Sequence, residues 1–158
     1  MMNPAVPHNN PAARLEYYLH ENIPLVQHMQ IQVVSYDQQA LVLSAPLAAN
    51  INHKLTAFGG SIAALATLTC WGVLWLMLEP RPDLHIVVHE SHIRYLRPVT
   101  DTLVAKCTPP DDSVRRHFMD TLQRRRKARL ELSAQIVQRE TVCAVLTGNF
   151  VAFQDAAG

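Results

Sequence analysis

The residues best placed for chemistry sit just ahead of a long apolar run. Asn52 and His53 lie in a polar loop, and Phe58-Gly59-Gly60-Ser61 leads into Ile62–Leu78, which is almost wholly apolar. If that run is a helix, its first backbone N–H groups lack partners within the helix, and the helix dipole adds positive potential at the same end. Glycine there lets a carbonyl approach the backbone closely. The Gly59 N–H is therefore placed to act on a carbonyl oxygen, where one such donor is worth about 10²–10³ in rate. Ser61 reads as a helix cap. His53 is placed to touch a substrate or to act as a base, or else it is simply a solvated loop histidine.

Other reactive residue types do not form sites. His85, His89 and His92 fall in a β-rich segment (HIVVHESHIRYL), where four residues span about 13 Å, too far for one ion. His89-Glu90-Ser91-His92 is one residue short of the HExxH spacing, so no metal is expected. Cys70, Cys107 and Cys143 are too few and too scattered for a disulfide framework, and free thiols in a reducing, cytoplasmic setting are the simpler reading. The Arg124-Arg125-Arg126-Lys127 run, with Arg115, Arg116 and Arg129, reads as a solvated helix end and strand edge.

These residues must be positioned by a chain of 158 residues, 49% of them apolar and 17% charged. That is one ordinary domain with enough apolar material for a core, not a disordered or charge-driven chain. Fourteen basic residues against thirteen acidic ones give +1, which offers no footprint for nucleic acid. Residues 1–10 read as a disordered Pro- and Asn-rich tail, and 11–155 as a single domain. Asn10-Pro11 starts a helix over Pro11–Asn22, which must stop before Pro24. Alternation predicts strands over Gln27–Ser35 and Ala128–Val137. Ala40–Ala45, the β-rich His85–Leu96 and Thr102–Thr108 are further strands. Val142–Phe153, apolar on both faces, reads as a central strand, and Arg139-Glu140 is a turn. Asp112 to about Gln123 is helical by spacing. Leu55 to Leu78 holds 24 residues without a charge, enough to span a bilayer. The competing reading is a helix buried on all sides, and the amphipathic strands on its flanks need such a cover. The sum is an α+β domain: a curved antiparallel sheet of about six strands wrapped around one long apolar helix, with no membrane span.

The block Asn50-Ile-Asn52-His53-Lys-Leu-Thr56-Ala-Phe58-Gly59-Gly60-Ser61 resembles the hotdog thioesterases. It is most similar to the thioesterase family typified by the YiiD C-terminal domain. Ile93-Arg94-Tyr95-Leu96-Arg97-Pro98 resembles the strand after the helix, and Gly148-Asn149-Phe150-Val151-Ala152 the last strand. The likeness runs from about Leu15 to Phe153. In the broader phenylacetate-type hotdog thioesterases an Asn stands six positions before His-Gly-Gly, with an acidic residue further along the helix. Asn52 falls on that Asn, and Gly59 and Gly60 on the glycines. Phe58 stands in place of the His, and Thr67 in place of the acid, so the usual base is missing.

The resemblance implies an acyl thioesterase acting on a coenzyme A or acyl-carrier-protein thioester, with no cofactor beyond the coenzyme A or phosphopantetheine of the substrate. It implies a homodimer, or a tetramer, with clefts between subunits. Asn52, Gly59 and Thr67 are then the catalytic candidates: Asn52 to hold water or the carbonyl, Thr67 to orient water. His53, Phe58, Gly60, Ser61 and Ser91 are the substrate-binding candidates. The arginine cluster becomes an alternative contact for the phosphates of coenzyme A or for an acidic carrier. The rival reading is a hotdog protein that binds acyl thioesters without turning them over. A dehydratase is disfavoured by Phe58 at the His position.

Overall fold

A computed structural model describes residues 9–79 and 82–155. Most of the expected tail, and Pro80 and Arg81 of the segment expected to end the long helix, lie outside the described residues. Helix α1 (Pro11–Asn22) is capped by the Asn10 side chain, which accepts from the Ala12 and Ala13 N–H groups. It buries Leu15 and Leu19. The segment expected as a strand over Gln27–Ser35 is instead divided. Pro24–Met29 is a short helix, α2, with Pro24 in its first turn and Val26 and Met29 buried three residues apart. Gln30, at φ 56°, turns the chain into the left-handed region and ends it. Strand β1 is therefore only Gln32–Tyr36. The alternation of Met29, Ile31 and Val33 crosses this helix-to-strand junction, and a periodicity argument cannot see the junction.

The remaining elements are β2 (Leu41–Ala45), α3 (Gly59–Leu78), β3 (Leu84–Tyr95), β4 (Leu103–Cys107), α4 (Asp112–Arg125), β5 (Lys127–Gln138) and β6 (Thr141–Gln154). The six strands form one antiparallel sheet in the order β1-β2-β4-β5-β6-β3. On β5, Ala128, Leu130, Leu132, Ala134 and Ile136 are buried and alternate with exposed polar side chains, so one face of the sheet is core. Asp111 caps α4 by accepting from the Ser113 and Val114 N–H groups. The Val114 amide, the Ser113 hydroxyl and the Arg116 charge hold its carboxyl below the ordinary value.

Helix α3 lies against this sheet, packing on β2, β3, β4, β5 and β6 and on α1. Contact on so many sides explains why it has no polar face, and most of its apolar length is buried within the protein. Gly72 sits where α3 comes closest to its neighbours. A Cβ there would lie 2.8 Å from Leu41 Cδ2 and 3.1 Å from Leu15 Cδ2. Strand β3 is the far edge of the sheet, bonded to β6 on one side only.

Candidate active site at the start of the central helix

Helix α3 starts at Gly59, with Phe58 as its N-cap and no side chain capping it. Ser61 is therefore the third residue of the first turn and does not cap the helix. The glycines were expected to form a turn ahead of the helix, but their backbone is taken into it. The N–H groups of Gly59, Gly60 and Ser61 consequently have no protein acceptor among the described residues.

The loop that delivers this turn is fixed by two asparagines. Asn52 is committed to its own turn: its Oδ1 accepts from the Lys54 and Thr56 N–H groups at 2.8 and 3.3 Å. Its amide donates to Thr56 Oγ1 at 3.0 Å and to the Ala57 carbonyl at 3.3 Å. Asn50, which opens the block that carries the resemblance but was given no role there, is 3% exposed. Its amide donates to the carbonyls of Met29 (3.0 Å) and Pro46 (2.8 Å), and its own carbonyl accepts from the Phe58 N–H at 2.7 Å. Asn50 thus ties α2, the end of β2 and the cap of α3 together. Its Oδ1 is buried without a donor.

Two aromatic rings flank the first turn. Phe58 is 57% exposed, and its ring folds back over Gly60 so that a Cβ at Gly60 would overlap it. Tyr95, at the end of β3, lies on the other glycine: a Cβ at Gly59 would be 3.6 Å from its ring. The Tyr95 hydroxyl donates to the Gly59 carbonyl at 3.0 Å. At the other end of β3, Trp71 Nε1 donates to the Ile86 carbonyl at 3.1 Å. These two bonds tie α3 to the edge strand at both ends of β3. On α3, Ala63, Ala64 and Thr67 are half-buried. Ser91 pairs with Gly148 and shares the inner face of β3 with Ile93 and Tyr95, whereas Glu90 pairs opposite Asn149 and faces outward.

The structure thus brings Phe58, Gly59, Gly60, Ser61 and the Asn52 turn together. Thr67 is eight residues further on, about 12 Å along the axis. His53 is exposed on the loop, with no hydrogen-bond partner among the described residues. Among these residues, no three His, Cys, Asp or Glu side chains gather in a way that would hold a metal. His85 is engaged with Asp155, 2.9 Å away. A separate cavity of about 540 Å³ lies at the opposite end of α3, among Tyr36, Val73, Leu76, Met77, Pro109 and Arg115.

Residues 12–154 match the family described as "Putative thioesterase (yiiD_Cterm)". The chain belongs to this family. A "putative thioesterase" from Shewanella oneidensis is 39% identical, with a TM-score of 0.81 over 90% of this chain and 97% of that one. A protein of unknown function from Chlorobaculum tepidum TLS is 31% identical, with a TM-score of 0.85 over 92% and 98%. The PaaI protein of E. coli, from the phenylacetic acid degradation operon, shares the fold at 18% identity and a TM-score of 0.63 over 96% and 97%. The antiparallel sheet around a buried helix is the hotdog arrangement of these thioesterases, and the family assignment supports a thioesterase-like function. Tyr95 and Asn50 are what sequence reading missed. Tyr95 was visible only as a strand residue. Asn50 stood at the head of the block that carried the resemblance but was assigned no role, and burial marks it out where residue type does not.

Proposed function

We propose that this protein is an acyl thioesterase that takes a coenzyme A or acyl-carrier-protein thioester with its carbonyl at the start of α3. The observation that carries this reading is the uncapped first turn, whose Gly59 and Gly60 N–H groups are free in a member of a thioesterase family. These donors suit the oxyanion that forms when water attacks the carbonyl. The leaving thiol ionises near pKa 8.5, so its departure needs little help from a general acid. The apolar acyl group would run between α3 and β3, past half-buried Thr67 and past Ser91. Asn52 serves by shaping the turn that presents Phe58 and Gly59.

A homodimer completes this reading. Strand β3 offers a twelve-residue unpaired edge with Val87, Val88 and Tyr95 exposed along it and Leu96 just beyond. Such an edge calls for a partner strand, and a second copy supplies one by antiparallel self-pairing. Thr67 can reach a carbonyl held at Gly59 only if the two come from different copies, because about 12 Å of helix separates them within one. Unpaired Cys70, Cys107 and Cys143 suit a cytoplasmic location.

The test is thiol release from acyl-coenzyme A and acyl-carrier-protein substrates of increasing chain length, with the acyl product identified by mass. Release that Asn52→Ala abolishes supports the reading. Tight binding of the thioesters without release supports the second one, a protein that binds acyl thioesters but does not hydrolyse them. That reading draws on the absence, among the described residues, of any carboxylate or imidazole bonded to the first turn of α3.

A further inference from the structure

Tyr95 and Gly59 are 36 residues apart and belong to different elements, yet the phenol donates to the Gly59 carbonyl at 3.0 Å. The peptide bond is planar and trans, so the Gly59 carbonyl and the Gly60 N–H are one rigid unit pointing in opposite directions. Whatever holds the carbonyl therefore aims the N–H. This matters here because the first turn has no capping side chain, and two consecutive glycines give it the most backbone freedom available to any residue pair. A hydrogen bond accepted by an amide oxygen also polarises the amide, which strengthens the N–H on its other side. The ring also stands over Gly59, at the distance where a Cβ on that residue would just touch it. Tyr95 can do this because the sheet register places it on the inner face of β3, opposite Ala144 on β6.

We infer that Tyr95 is a positioning residue that aims and polarises the Gly60 N–H toward the substrate carbonyl. This rests on the acyl-thioester reading above. It adds a residue from the edge strand to a carbonyl-binding turn otherwise built by the helix and its loop. Tyr95 touches the backbone donor and not the reacting atoms.

The experiment uses the intact chain and uncleavable ketone analogues of acetyl- and octanoyl-coenzyme A, in which a methylene replaces the thioester sulfur. Affinity is measured by calorimetry, and the Gly60 amide is followed by ¹H–¹⁵N NMR, in the parent protein and in Tyr95→Phe. A bound ketone should move the Gly60 proton downfield in the parent. In Tyr95→Phe that displacement should shrink and affinity should fall about tenfold, with melting temperature and association state unchanged. A purely structural role would move the latter two instead. Should Tyr95→Phe melt early, 3,5-difluorotyrosine at position 95 provides the opposite test. Its more acidic phenol should enlarge the Gly60 displacement. A Gly60 resonance unmoved by saturating ketone, or moved equally in both proteins, overturns the role of Tyr95. If neither analogue, nor the octanoyl ketone carried on the phosphopantetheine of an acyl carrier protein, binds the parent at all, the acyl-thioester reading itself falls, and the role of Tyr95 falls with it.

Discussion

Gly60 is a glycine because the Phe58 ring occupies the place of a side chain. Ala at position 60 must drive that ring outward. Phe58 is more than half exposed, so it has room to move and the fold should tolerate the change. The mouth of the site should not. Gly60→Ala is expected to melt within a few degrees of the parent yet lose most of its thioester binding, and Phe58→Ala in the same chain should restore much of that binding. Parallel melting and binding curves on the single and double variants check this coupling. Asn50 behaves differently because its work is internal. Asn50→Ala removes two buried donors from the Met29 and Pro46 carbonyls, which should cost about 2 kcal/mol of stability, read from urea unfolding. The resemblance pointed to Asn52, six positions before Phe58-Gly59-Gly60, and its side chain is spent on its own turn. Asn50 has the same chemistry at the residue level, and only burial distinguishes the two.

At the scale of elements, the strongest sequence signals held. The apolar run became α3, the clean alternation of Ala128 to Val137 became β5, and Asn10-Pro11 started α1. The miss at Gln27–Ser35 came from a mixed segment. A two-residue period and a three-residue spacing coincide over so few residues, and Pro24 decided for a helix. The hairpin between β5 and β6 shows a local cost that the fold tolerates. Arg139 and Glu140 both take positive φ, 47° and 64°, a geometry that twists correctly for a hairpin but suits Asn-Gly better. Replacing the pair by Asn-Gly should add about 1 kcal/mol by relieving left-handed strain. A higher denaturation midpoint with an unchanged slope is the expected result.

For the whole molecule, the question is what covers β3. Its length, its single-sided pairing and its exposed valines make it the surface most in need of a partner. Val87→Lys with Val88→Lys places two charges per copy on that edge, beside their counterparts in a self-paired dimer. The parent should sediment as a dimer and the double variant as a folded monomer. The monomer should also lose thioester turnover if both copies contribute to one cleft. A variant that remains dimeric places the interface elsewhere.

By itself the sequence determined what local physics controls. The order of apolar and polar residues set the type and order of nearly all elements. An uncharged run between amphipathic strands demanded a central helix, and the glycines at its start predicted a first turn with free N–H groups. Tertiary structure decided what depends on contacts between distant residues. It bonded Tyr95 to the Gly59 carbonyl, buried Asn50 while leaving Asn52 in the turn, and left the outer edge of β3 unpaired. It also decided that α3 is core, since length and hydropathy allow a membrane span just as well. What separates the two outcomes is a sheet with an apolar inner face, assembled from strands up to about a hundred residues away along the chain, and no window along the chain contains that sheet.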